Sequence, residues 1–136
     1  MTPEDTRERD ALNALSNKII ACALRVHSEL AAGLLESAYE ACLTFELLQN
    51  QLHVERQVPV PLTYRGHRLD CGYRIDVRVD DCVIVEIKAV ERLERVHSAQ
   101  LLSHLKLRKL KLGLLINFNV ASLRQGIKRV VNGFPE

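Results

Sequence analysis

Apolar residues at Leu12, Leu15, Ile19, Ala23, Val26 and Leu30 recur in steps of three and four, the spacing that lines one face of an α-helix. The start of that helix is also readable. Thr2 is an N-cap residue, Pro3 fits the first helical position, and Glu4 and Asp5 place negative charge in the first turn. Ala31, Ala32 and Gly33 supply the stop. A second helix is expected from about 35 to 51, with Ala38, Cys42, Phe45 and Leu48 turned inward.

The period changes near residue 52. Residues 53–64 are rich in β-formers, but Pro59 and Pro61 lack the N–H that a sheet ladder needs, so this stretch belongs at an edge or in a bent strand. Arg65, Gly66 and His67 read as a turn. From Tyr73 to Val79 the alternation is twofold: Tyr73, Ile75, Val77 and Val79 face one way, Arg74, Asp76 and Arg78 the other. Asp80 and Asp81 make a turn, and a second strand from Cys82 to Val90 sets Val83, Val85 and Ile87 against Ile84, Glu86 and Lys88. Helical spacing returns over about 96–107, residues 111–117 form a short apolar run suited to a buried strand, and Leu123 to Val131 reads as a terminal helix. The order α-α-β-β-β-α-β-α predicts an α/β fold, a mixed sheet flanked by helices. No linker, repeat or low-complexity tract interrupts it, so one domain over residues 1–136 is expected.

Composition narrows the function classes. Apolar residues make up 47% and charged residues 26%, a globular balance with enough apolar mass for one core. Three Tyr, three Phe and no Trp argue against an aromatic platform for single-stranded nucleic acid. A net charge of +2 permits a local nucleic-acid patch without demanding one. Cys22, Cys42, Cys71 and Cys82 form no CxxC pair and no metal-ligand spacing with His, so reduced thiols are expected. The polar N-terminus has no apolar signal region, and no apolar run approaches the ~18 residues of a membrane span, which together point to the cytoplasm.

The chemistry concentrates on the hairpin around Asp81. Asp76 and Glu86 lie symmetrically about that turn, as cross-strand neighbours pointing to one face. Like charges so placed repel, and a divalent cation offsets the cost. Mg²⁺, or Mn²⁺ in its place, takes one or two carboxylates and completes its shell with water and phosphate oxygens. The Ile87 carbonyl can add a ligand. Lys88, two residues beyond Glu86, projects from the same face and can orient an attacking water or stabilise developing charge. The bland alternative is a solvated sheet face.

Several stretches add a family resemblance. Gly33-Leu-Leu-Glu36-Ser-Ala-Tyr39 matches the pattern that names the GxxExxY proteins, a bacterial group placed among the PD-(D/E)xK nucleases. Gln57 onward with Tyr64-Arg-Gly66, Tyr73-Arg-Ile-Asp76, Ile84-Val-Glu86-Ile-Lys88-Ala-Val90, His97-Ser-Ala-Gln100-Leu and Gly113-Leu-Leu-Ile-Asn-Phe118 with Ile127-Lys-Arg129 extend the match from about 19 to 131. The resemblance implies a restriction-endonuclease-like core and Asp76, Glu86 and Lys88 as motif residues. It also implies that Glu36 reaches the metal and that Gln100 points into the same site. Ile75 stands where the motif's proline would be. His97 and His104, seven apart on one helix, flank the site in this reading.

Arg92 and Arg95, the group Lys106, Arg108, Lys109 and Lys111, and the group Arg124, Lys128 and Arg129 are candidates for phosphate-backbone contact. The function expected is Mg²⁺-dependent hydrolysis of phosphodiester bonds in nucleic acid, DNA rather than RNA in the first instance. The alternative is a non-catalytic module of the same fold that assembles with itself or binds nucleic acid. A homo-oligomer, dimeric or larger, is expected in either case, with the long N-terminal helix as one candidate surface for it.

Overall fold

The computed structural model describes residues 1–135. Helix α1 spans Pro3–Leu30 and begins where the sequence places it. Thr2 Oγ1 accepts the Asp5 N–H at 3.1 Å, and the Asp5 carboxylate accepts the Thr2 N–H at 3.0 Å, a reciprocal cap. Its buried stripe is the expected one, extended by Ser16 and Cys22, with Leu30 half-buried.

Helix α2 spans Glu36–Gln49 and corrects the expectation for its inner face. Tyr39, Glu40, Leu43 and Leu47 are buried, whereas Ala38 and Cys42 are half-buried and Phe45 and Leu48 are 60% and 54% exposed. The helix phase is set at its entry. The Tyr39 hydroxyl donates to the Ala31 carbonyl at 2.6 Å and accepts the Leu34 N–H at 3.2 Å, while its ring stacks on Phe118 at 4.5 Å. Gly33 turns the connecting loop at φ 107, a conformation side chains resist. The Gly33–Glu36–Tyr39 spacing is therefore a loop lock that fixes where Glu36 starts the helix. Tyr39→Phe removes both bonds, so at about 0.5–1.5 kcal/mol each it is expected to cost about 1–3 kcal/mol. Urea unfolding checks this; a loss below about 0.5 kcal/mol would mean the ring packing alone holds the loop.

Five strands form the main sheet in the order β1-β4-β5-β6-β7, and two more form a separate hairpin. They are β1 Val54–Pro59, β2 Leu62–Tyr64, β3 His67–Leu69, β4 Arg74–Val79, β5 Val83–Lys88, β6 Leu112–Asn117 and β7 Ile127–Val131. β1 is an edge strand, in keeping with Pro59 at its end. β4 and β5 are antiparallel with Val77 opposite Val85 and Val79 opposite Val83, joined through Asp80 and Asp81 at φ 51 and 55. β5 and β6 are parallel, connected by α3 (Arg95–Arg108), which crosses over the sheet.

The terminal helix expected over 123–131 is absent. Leu123–Gly126 is one turn of 3₁₀-helix, and Ile127–Val131 pairs with β6 as an antiparallel edge strand. The spacing of Leu123, Ile127 and Val130 imitates a helix, but the open edge of β6 offers the backbone a ladder that local periodicity does not reveal.

Two clusters fill the two faces of the sheet. Helices α1 and α2 cover Val77, Val79, Val85, Ile87, Leu114 and Ile116. Helix α3 covers Ile75, Ile84 and Leu115 with Leu101 and Leu105. Each such aliphatic side chain contributes about 1.5–3 kcal/mol on burial. Ile75 and Val77 lie in different clusters although they are two apart on one strand, so the twofold alternation expected for β4 breaks at Asp76. No helix among the described residues is long and apolar enough to cross a membrane.

Candidate active site

The break at Asp76 builds the site. The β1–β4 ladder pairs Arg56 with Val77 and Val58 with Ile75 but leaves out Gln57 and Asp76. Gln57 sits at φ 51, a sparsely populated region for a residue with a side chain. The β4–β5 ladder also stops at Val77, and Asp76 Oδ2 accepts the Ile87 N–H at 2.8 Å in place of a main-chain partner. The register carried one step further sets Asp76 opposite Glu86.

These two carboxylates are unlike Glu40, which is also buried but is held by Arg56 Nε at 3.0 Å and Gln57 Nε2 at 2.8 Å. Among the described residues Asp76 has no salt bridge, and Glu86 has only the His104 imidazole, 3.3 Å from its Oε1. Burial pushes the Asp76 carboxyl up from 3.8 to about 6, with the Glu86 charge as the next cause and Glu40 adding to it; the Ile87 N–H and the Lys88 charge pull the other way. The pair therefore lacks a matching lysine or arginine, and a divalent ion would balance its charge. Lys88 is half-buried, and among the described residues its ammonium makes no ion pair. The exit of β5 is fixed by buried Asn117, whose Oδ1 accepts the Val90 N–H at 3.1 Å and whose Nδ2 donates to the Val90 carbonyl at 2.9 Å.

The other expected residues take different places. Glu36, the first residue of α2, reaches the end of β5, where its Oε2 accepts the Ala89 N–H at 3.2 Å. Asp76, Glu86 and Glu36 do not bring one oxygen each within 4.8 Å of one another; among the described residues that condition is met by His53, Glu55 and Asp81. This second group lies at the opposite end of β4, and Arg78 already occupies it, with Nε 3.1 Å from Glu55 and 3.6 Å from Asp81. Gln100 is exposed on α3, one turn before His104. His97 is a capping residue, its Nδ1 accepting the Glu94 N–H at 2.9 Å, whereas His104 is buried against Glu86.

The basic residues at the end of α3 are placed away from the carboxylates. Lys88 aligns with Asn117 at one end of the parallel pair and Val83 with Leu112 at the other, so Lys109 and Lys111 stand at the far end. Lys111 is spent there on Glu8, at 2.6 Å, and Arg129 lies over the Phe134 ring at 4.6 Å.

Glu40 is the residue that sequence reasoning missed. It lies one turn after Glu36, buried, with its charge felt at Asp76, and its signal was an acid on the stripe Tyr39, Leu43, Leu47. Arg56→Ala leaves that carboxylate buried with only Gln57 beside it. The expected cost is about 2–4 kcal/mol by urea unfolding, and Glu40→Gln in the same chain should recover most of it. A full loss that the second change does not relieve would place the effect in Arg56 packing.

Residues 13–130 match the sequence profile of the PD-(D/E)XK nuclease superfamily. No curated protein and no solved structure matches the chain.

Proposed function

The chain belongs to the PD-(D/E)XK nuclease superfamily, and from that premise we propose that it is a metal-dependent nuclease that hydrolyses phosphodiester bonds in DNA, with Mg²⁺ or Mn²⁺ as the cofactor. The observation that carries this reading is the part-buried pair Asp76 and Glu86, close enough for one charge to act on the other and without a lysine or arginine salt bridge among the described residues, while buried Glu40 has Arg56. Asp76, Glu86 and the Ile87 carbonyl would hold the ion. A bound divalent cation supplies an acidified water and neutralises charge on the phosphate.

The chain's own groups do the rest. Lys88 would donate to the attacking oxygen or to a phosphate oxygen as negative charge grows. The Ile87 N–H keeps Asp76 turned to the shared face, and His104 keeps Glu86 there. Glu36, tied to the exit of β5, and Gln100, one turn before His104 on α3, would steer water and the scissile phosphate. The Gly33–Glu36–Tyr39 lock supports the narrower reading that this chain is one of the GxxExxY proteins.

The purified chain is expected to cut plasmid DNA with Mg²⁺ or Mn²⁺ and to stop in EDTA. The double change Asp76→Ala, Glu86→Ala should abolish cutting; undiminished cutting would exclude this site.

The second reading, a non-catalytic self-assembling module, also has an observation behind it. Phe45 and Leu48 are exposed large apolar residues on α2, and Phe45 lines the groove it forms with α1. Sedimentation of Phe45→Ser against the parent chain tests whether that face joins copies of the chain, and an assembled protein with no metal-dependent cleavage would favour it.

A further inference from the structure

Between β1 and β4 the chain leaves the sheet as the β2–β3 hairpin, and it does so at the catalytic end. Pro59 pairs with Arg74, two residues before Asp76, and buried Val60 donates its N–H to the Tyr73 carbonyl at 3.0 Å. The Tyr73 ring meets His104 edge-on at 6.0 Å, and His104 bonds Glu86. The hairpin is thus rooted against the site.

Its own build is unusual for a structural element. Three-residue strands are joined by Arg65 and Gly66 at φ 50 and 80, the two positive values of a tight hairpin turn. Every residue from 63 to 74 is exposed, Tyr64 at 62% and Tyr73 at 50%, so two of the three tyrosines face solvent here. A two-stranded ribbon gains little stability by itself, and this one covers no core. Charge is concentrated on it as well. Arg65, Arg68 and Arg74 against Asp70 give residues 61–74 a formal +2, the net charge of the entire chain, so the remainder is neutral. Arg74 is paired with Asp70 at 3.7 Å, but among the described residues Arg65 and Arg68 have no salt bridge.

We propose that the β2–β3 hairpin is a DNA-binding arm that lies in the major groove of a duplex, with Arg65 and Arg68 on phosphates and Tyr64 against the groove floor or a sugar. It rests on the reading of this chain as a nuclease for nucleic acid. A polyanion is the partner whose charge matches an exposed cationic ribbon on an otherwise neutral protein. A two-stranded ribbon fits the major groove of B-form DNA, whereas the deep, narrow major groove of duplex RNA does not admit one. The arm holds the strand beside the carboxylates and does not take part in the chemistry.

The test is binding of a fluorescent 20-bp DNA duplex in EDTA, where a metal-dependent enzyme does not cut, read by anisotropy across a salt series. Arg65→Ala with Arg68→Ala is expected to weaken binding at least about tenfold. It should also lower the slope of log affinity on log salt by about 1.8, since each phosphate no longer neutralised accounts for about 0.9. Tyr64→Ala should weaken binding with the slope unchanged. Arg7→Ala with Arg9→Ala removes the same charge from α1 and should leave the slope nearly intact. Melting should change little for the hairpin variants, since these side chains are exposed. A duplex bound equally well and with equal slope by the Arg65, Arg68 variant overturns the arm while leaving the nuclease reading in place. Equal losses on a single strand overturn the groove assignment. A wild-type chain with no affinity for the duplex overturns the arm, and the cleavage assay then judges the nuclease reading separately.

Discussion

Asp76→Asn is expected to abolish cleavage and to raise the melting temperature of the metal-free protein at the same time. The two effects have one cause. Asp76 stands near enough to Glu86 to feel its charge, with no lysine or arginine in salt-bridge range among the described residues, and its carboxyl is raised from 3.8 to about 6 by burial first and by Glu86 second. A carboxyl whose folded pKa exceeds its unfolded value binds the proton more tightly in the native state. It therefore withdraws stability as pH rises from about 4 to 6, and the loss persists above that window. The rise corresponds to at most about 3 kcal/mol; solvent screening around a carboxyl that is not fully enclosed lowers the expected gain to about 1–2 kcal/mol. For a chain of this size that is roughly 3–7 °C. Asn keeps an oxygen for the Ile87 N–H, so the backbone contact survives. Scans at pH 7.5 should show the gain, and scans near pH 4 should not. Mg²⁺ should raise the melting temperature of the wild-type chain and not of the variant. A variant that melts lower at pH 7.5 would make Asp76 a structural residue.

The hairpin that carries this pair was legible because its signals are local. Twofold alternation on both sides of Asp80 and Asp81 sets a register, and one register puts Asp76 opposite Glu86 and Lys88 beside it. What lay beyond local reach was the switch of face at Asp76. Ile75 and Val77 look equivalent in sequence, and they are separated by the strained backbone of Gln57 on another strand. The inner face of α2 was misread for a related reason. An acid on an apolar stripe counts against burial until its partner is known, and Arg56 lies 16 residues away on β1. Phe45 and Leu48 then look like core because they are apolar, although folding leaves them in solvent. Strand β7 shows the same limit: Ile127–Val131 is a strand because β6 has an open edge, a fact written nowhere within those five residues. The β2–β3 arm was visible only as a turn, since exposure and projection belong to the assembled fold.

Lys88→Ala should lower kcat by about 10²–10³-fold while leaving metal-induced stabilisation intact. Lys88 ends β5 two residues after Glu86, and its backbone is pinned by the Phe118 N–H, which donates to its carbonyl at 2.9 Å. Asn117 holds the segment that follows. The strand therefore delivers the side chain at a fixed position and angle, and the ammonium remains without an ion-pair partner among the described residues even though its charge is felt at Asp76. A structural lysine would have taken one of the nearby carboxylates. A lysine left free beside two acids instead offers its donors to whatever enters between them. Because it is no ligand, its removal should spare the shift in melting temperature that Mg²⁺ produces, in contrast to Asp76→Asn. Lys88→Arg should not restore the rate, since a planar fork cannot occupy the place of a compact ammonium at the end of a packed strand. Single-turnover cleavage compared with Mg²⁺-dependent melting separates the two roles. A Lys88→Ala chain that cuts at the wild-type rate, or that no longer responds to Mg²⁺, would remove the lysine from the chemistry assigned to it.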